Sequence, residues 1–302
     1  MTVTVMDGMI HKYGRNARFE EMERFMMTKL VADSSCDVYT FDRVAFEAVP
    51  LTIATDTESF RDDAGLNVPK MLETLREHKG RSYTACPNIG QWLEAYQGAE
   101  RVYAVTITSA LSGSYNAAMA AREIYQQEHP ETDIHVFDSL STGPECLLLL
   151  EKLRELTEAN LSFEEVVERM EAYQRKTRLF FSLHSLHNLA QNGRVSKVVA
   201  AAVGVMNIRV IGTASPEGTL SPIGKARGDK RAAAELVEQM EQAGYRGGKI
   251  RVTHVQNPEL ARSFEEFLRK DYPDADIEIH CAGGLCSYYA EKGSLMIGVE
   301  TE

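Results

Sequence analysis

The stretch VYAVTITSALSGSYNAAMAA, residues 102–121, holds one complete architectural unit. Val102 to Thr108 is hydrophobic and β-branched, and predicts a buried strand. The alanine-rich tail predicts a helix over 115–127. Between them Thr108, Ser109, Ser112, Gly113 and Ser114 crowd hydroxyls and a glycine into one turn, with no base, lysine or metal ligand beside them. Strand, polar turn and helix make half of a βαβ unit, and repetition of that unit means a parallel sheet covered by helices.

Outward from this stretch the unit repeats. Strand candidates lie at 30–32, 49–53, 82–84 and 134–137, and helix candidates at 68–78, 91–96, 146–159 and 163–176. Three strands end in polar residues: Asp33-Ser34-Ser35, Thr108-Ser109 and Asp138-Ser139, and Thr84 follows the same habit. Ligands of such sheets lie outside the carboxyl ends of the strands, so these ends should converge on one crevice. The second half differs. Strand candidates at 179–181, 209–211, 220–223, 249–254, 277–280 and 295–299 are joined by helix candidates at 184–192, 197–206, 232–243 and 258–269. Pro216-Glu217-Gly218 reads as the turn of a hairpin. The expected class is therefore α/β with two domains, an N-terminal Rossmann-like parallel-sheet domain and a C-terminal mixed-sheet domain.

The chain has 302 residues, enough for about two domains. Its net charge of -11 argues against a nucleic-acid partner, which needs a basic face. The cysteines Cys36, Cys86, Cys146, Cys281 and Cys286 are odd in number and form no CxxC pair. They point to a reducing, cytoplasmic setting with neither a disulfide framework nor a metal site. Residues 1–27 lack an uninterrupted apolar core, so no signal peptide is expected. No stretch approaches the ~20 apolar residues of a membrane helix, and no stable membrane insertion is expected.

The candidate sites each carry a bland alternative. Ser112-Gly113-Ser114 before a helix offers small donors and free N–H groups to an anion, or simply caps the helix. No serine sits in a GxSxG frame, and a nucleophile needs a base within reach. His184 and His187 share a helical face without a carboxylate partner pattern, and His254 and His280 end β-like runs; all four read best as ordinary histidines. Asn192-Gly193-Arg194 is a turn whose arginine either meets an acidic group or is solvated. The run Gly224 to Arg231 is the most basic segment, either a steering patch or a solvated helix start. Gly244 to Lys249 lacks the phosphate-loop frame and precedes a strand.

The chain resembles the DegV family of bacterial fatty-acid-binding proteins from about residue 29 to 302. The resemblance rests on Ala32-Asp33-Ser34-Ser35, Val49-Pro50-Leu51, Thr84-Ala85-Cys86-Pro87-Asn88, the segment Ile107 to Tyr115, Leu186 to Ser196 with its Gly193-Arg194-Val195-Ser196 core, and Lys225-Ala226-Arg227-Gly228. It implies a fatty acid held between the two domains, as a ligand with no other cofactor. Its carboxylate would lie on Thr84 and Ser112, with Ser109 and Gly113 close by. Ser34, Ser35, Arg194, Arg227 and Tyr289 are the further head-group or partner contacts, Arg227 matching an arginine implicated in delivery to a separate fatty acid kinase for phospholipid synthesis. The implied division is an extension at 1–28, an N-terminal domain at 29–178 carrying the carboxylate loops, and a C-terminal domain at 179–302 closing over the chain. The sequence departs from the pattern at Ala85, Cys86 and Asn88, at Asn192, and at Tyr289, which stands where the family often has a histidine.

Physical chemistry is compatible with this role. Each buried methylene contributes ~0.8 kcal/mol, so ~14–18 carbons give on the order of 11–14 kcal/mol before ordering costs. A few neutral donors suffice for the head group. The expectation is a carrier without catalytic residues; the alternative is an acyl- or phosphoryl-transfer enzyme using the same serine- and threonine-lined crevice.

Overall fold

The computed structural model describes residues 28–159, 161–196 and 207–302. Apart from Thr28, the expected extension at 1–28 lies outside the described residues, as does the helix expected over 197–206. The chain opens with β1 (Thr28–Asp33), a short 3-10 turn (Ser34–Cys36), β2 (Ala45–Val49), β3 (Thr52–Ala54), β4 (Ser59–Arg61), α1 (Val68–Glu77) and β5 (Tyr83–Ala85). It continues through α2 (Ile89–Tyr96), β6 (Arg101–Thr106), α3 (Ser114–Glu128), β7 (Asp133–Asp138), α4 (Pro144–Glu158) and α5 (Phe163–Gln174). The second half runs β8 (Thr177–Leu183), α6 (His187–Gln191), β9 (Ile208–Ala214), β10 (Leu220–Arg227), α7 (Asp229–Gln242), β11 (Ile250–His254), α8 (Pro258–Asp271), β12 (Ile277–Cys281), α9 (Gly284–Ala290) and β13 (Leu295–Glu300).

The first sheet is parallel throughout, in the order β2-β1-β6-β7. Alternate residues of its strands go to opposite faces. Leu30, Ala32, Tyr103, Val105 and Phe137 pack under α4 and α5, while Val31, Val102, Ala104, Ile134 and Val136 pack under α2 and α3. Both faces are covered, which is why these strands read as continuous apolar runs rather than as alternation. The second sheet is mixed, in the order β10-β9-β8-β13-β11-β12, with only β11 and β12 parallel. One face, with Phe180, Ile211, Val252 and Ile297, lies under α7 and α8. The other, with Leu179, Phe181, Leu183, Val210 and Met296, meets α6 and α9.

Helix α4 joins the two halves by packing on β11 and β13 as well as on the first sheet. Gly298 makes the join possible, since a Cβ there would lie 2.5 Å from the backbone of Pro144 and Glu145. Arg251 of β11 reaches across to Glu151 of α4 at 2.7 Å, both side chains nearly excluded from solvent.

The single strand expected at 49–53 is two strands. Val49 ends β2 in the parallel sheet, and Thr52–Ala54 turns away to form an antiparallel sheet in the order β4-β3-β5. Pro50 lies at the change of direction, where its missing N–H and fixed φ suit a bend rather than a ladder. The helix expected over 184–192 forms only at His187–Gln191. The hairpin at 216–218 forms as expected, with Gly218 at φ 78°. The basic run divides between the end of β10 and the first turn of α7.

Candidate functional site

The three polar strand ends come together and hydrogen-bond one another. Asp33, at the end of β1, is fully buried and accepts four hydrogen bonds: from Ser35 N (3.2 Å) and Oγ (2.5 Å), Ile107 N (3.0 Å) and Ser114 Oγ (2.6 Å). Burial pushes this carboxyl up from its usual range, against the pull of the Ser114 and Ser35 hydroxyls. Ser34 Oγ accepts from Leu51 N at 3.0 Å, fixing the turn from β2 into β3. Asp138 accepts from Ser109 N (3.0 Å) and Leu140 N (3.1 Å). Ser34 and Ser35 are therefore enclosed, and Ser109 is exposed beside Asp138.

A cavity of about 290 Å³ lies between the two halves. Its floor is Leu179, Phe181 and Leu183 of β8 with Met296 of β13, and its wall is Leu285, Cys286, Tyr289 and Ala290 of α9. Leu51, Ile107 and Leu111 complete the apolar lining from the N-terminal half. Polar groups gather at one end. Thr84 of β5 hydrogen-bonds Tyr289 through their hydroxyls at 2.7 Å. Arg194 stands 5.9 Å from the Tyr289 ring centre and donates its Nε–H to Leu111 O at 3.2 Å. Ser112 and Gly113 line the same end, and a Cβ on Gly113 would lie 3.3 Å from Cys86 Sγ.

Local chemistry explains how the rim is held. Ser112 N–H and Leu111 N–H both donate to Thr108 O, at 3.3 and 3.2 Å, so the chain turns back tightly before α3. Gly113 is the N-cap of α3 and no side chain caps it. Neither Ser112 nor Ser114 therefore serves as the expected cap. Ser114 Oγ is committed to Asp33, and Ser112 Oγ accepts only a 3.3 Å contact from Ser114 N. The first turn of α3 thus keeps unpaired donors and the positive end of its dipole for an anion. Burial raises the Tyr289 phenol above its usual range, so it is neutral and able to donate. Among the described lining residues Arg194 is the only charged group, and none is a histidine or a carboxylate. Arg227 is exposed at the end of β10, away from these lining residues. No described group of histidine, cysteine, aspartate and glutamate side chains could hold a metal ion.

Two features escaped the sequence. Thr142 and Cys286 line the cavity together, their side-chain Oγ1 and Sγ 3.7 Å apart. The wall helix α9 is pinned at its start by carboxylates of the other half. Asp62 accepts from Gly284 N (2.8 Å), Leu285 N (3.0 Å) and Tyr39 OH (2.6 Å), and Asp37 from Gly283 N (2.9 Å). Burial and the neighbouring Asp62 push Asp37 up to about 8. An acid one turn after a strand end carries no periodic signal that marks it as a clamp.

A family model described as "Uncharacterised protein, DegV family" matches residues 27–302. The chain belongs to the DegV family. A DegV domain-containing protein of Streptococcus pyogenes serotype M1 is 44% identical over 279 residues, covering 91% of this chain and 100% of the relative. A DegV family protein from Eubacterium eligens, loaded with heptadecanoic acid, is 52% identical with a TM-score of 0.89, covering 91% and 100% of the two chains. The Streptococcus pneumoniae Fatty Acid Kinase (Fak) B3 protein, loaded with linoleic acid, is 44% identical with a TM-score of 0.90, covering 92% and 100%. The two-domain DegV architecture is thus the one found here. The departures from the DegV pattern have visible consequences in this chain. Ala85 and Cys86 line the cavity, and Asn88 caps α2 in a reciprocal box with Gln91, at 3.0 Å each way. No described helix is long and apolar enough to cross a membrane.

Proposed function

We propose that this protein binds a long-chain fatty acid in the cavity between its halves and presents the carboxylate to a separate fatty acid kinase in the cytoplasm, for acyl-phosphate formation in phospholipid synthesis. The observation that carries this reading is the lining, apolar along its length save for Thr142, with Thr84, Ser112, Gly113, Arg194 and Tyr289 gathered at one end. In this reading Thr84, Ser112 and the first turn of α3 donate to the carboxylate, and Tyr289 and Arg194 flank it. Ser109, Ser34 and Ser35 support the loops that carry these groups, and the exposed Arg227 faces the protein partner. The functional division is 29–178 for the head-group half and 179–302 for the half that closes over the chain.

The hydroxyls have no base beside them in the lining, which favours holding over turnover. Relatives loaded with heptadecanoic and linoleic acid support the ligand class. Native mass spectrometry of the purified protein should show one fatty acid per chain, identifiable after extraction. A hydrogen bond to a charged group is worth about 1.5–3 kcal/mol, so Thr84→Ala combined with Ser112→Ala should weaken uptake of added palmitate or oleate by roughly a hundredfold or more. Unchanged affinity would remove the head-group assignment, and a clean apo mass with no uptake would remove the ligand. ATP or acyl-ester turnover by the pure protein, abolished by Ser112→Ala, would make it an enzyme instead.

A further inference from the structure

Gly212 of β9 lies directly opposite Phe181 of β8. A Cβ on Gly212 would stand 2.2 Å from both Cε2 and Cζ of the Phe181 ring, and 2.8 Å from Ser221 O on the next strand. The Phe181 ring therefore lies back over the bare backbone of Gly212. The glycine is not there for left-handed backbone, since its φ lies outside that region. It is there for space. Phe181 is 2% exposed and forms part of the cavity floor, between Leu179 and Leu183.

We propose that Gly212 sets the size of the acyl cavity through Phe181, and so determines which fatty-acid chain lengths the protein accepts; this rests on the acyl-binding reading above. Any side chain at 212 meets the ring on one side and the β10 backbone on the other. Ser221 O belongs to backbone paired with β9, whereas the closer Phe181 ring is a side chain free to turn, so the ring gives way first. It either rises off the sheet or swings toward Met296, its partner on β13. Both directions lead into the lining, because Met296 is itself part of the floor. Neither Gly212 nor Phe181 offers a side-chain donor, so the change removes no hydrogen-bonding group from the carboxylate end at Thr84 and Ser112, and its effect is read in chain length. Phe181→Ala acts in the opposite sense, opening the floor.

The test offers delipidated protein an equimolar mixture of lauric, myristic, palmitic and stearic acids and reads the bound species by native mass spectrometry. Gly212→Ala should raise the laurate-to-palmitate ratio about tenfold, the weight of roughly two methylenes. Phe181→Ala should shift the profile toward stearate. In the Phe181→Ala background, Gly212→Ala should leave the profile unchanged, because the glycine acts only through the ring. If Gly212→Ala does not fold, Phe181→Leu and Phe181→Ala should still shift the profile to longer chains in graded steps. A wild-type profile in the Phe181 variants, or a Gly212→Ala shift that persists without the ring, overturns the proposal while leaving acyl binding intact. A wild-type protein that takes up neither these four acids nor oleate removes the acyl reading and this one with it.

Discussion

One carboxylate, Asp33, holds together three pieces of chain that the site depends on. Its two oxygens collect Ser35, the backbone of Ile107 and the hydroxyl of Ser114. The end of β1, the end of β6 and the start of α3 are thereby fixed relative to each other. Asp33→Ala leaves the backbone N–H groups of Ser35 and Ile107 unpaired, each costing about 1–3 kcal/mol, while the Ser35 and Ser114 hydroxyls can rotate to other acceptors. Urea unfolding should show a loss of about 2–4 kcal/mol, with weakened fatty-acid uptake because Ser112 and Gly113 lose their footing. Stability within about 0.5 kcal/mol of wild type, the range of an ordinary surface change, would show that the carboxylate is incidental. The hydroxyl-rich turn of 108–114 was visible in the sequence as a candidate site. The division of labour within it was not, because Ser112 and Ser114 are chemically alike and differ only in what folds against them. Ser114 meets a buried acid from a strand distant in sequence, and Ser112 meets the cavity.

Legibility at the level of elements followed burial. Strands β1, β6 and β7 are sealed between helices on both faces, so each leaves an apolar run that ends abruptly in polar residues. Helices α7 and α8 bury one stripe and declare it at helical spacing. Helix α9 is different. It spans only seven residues and nearly all of them are buried, so Gly284–Ala290 shows no amphipathic period. What holds α9 is the pair Asp37 and Asp62 at its first N–H groups. Asp37 faces Asp62, Tyr39, Thr253 and Cys286, with no cation among them. Its proton leaves at about 8 in the fold, against the ordinary carboxylate range near 4 when unfolded. The folded state thus holds the proton more tightly. The stability this lends is complete below about pH 4 and is lost as pH climbs toward 8. Asp37→Asn keeps an acceptor for Gly283 N and cannot ionise. The melting temperature of the wild type should fall between pH 5 and 8.5 relative to that of the variant, the variant being the more stable at the alkaline end. Parallel curves across that range would place the Asp37 proton elsewhere.

At the scale of the molecule, the cavity is lined from both halves: Leu51, Thr84, Ile107 and Ser112 on one side, Leu179, Phe181, Tyr289 and Met296 on the other. An acyl chain there buries apolar surface that belongs to neither half alone. Direct contact between the halves is made by α4 against β11 and β13, by Arg251 with Glu151, and by α9 against β3 and α1. In the proposed reading the fatty acid bridges linings that come together only in the folded chain, so it would bind the folded chain and not the unfolded one. Binding of that kind stabilises by RT ln(1 + [L]/Kd), about 2.7 kcal/mol at a hundredfold excess over Kd. Delipidated protein should therefore melt several degrees below the loaded form, and added palmitate should restore the midpoint in a concentration-dependent way. Both forms should melt in a single transition, because α4 belongs to both cores. A delipidated protein that melts in two steps, merging into one on loading, would mean that the acyl chain itself supplies most of the coupling between the halves. An unshifted midpoint on loading would mean that the fatty acid does not lie between them.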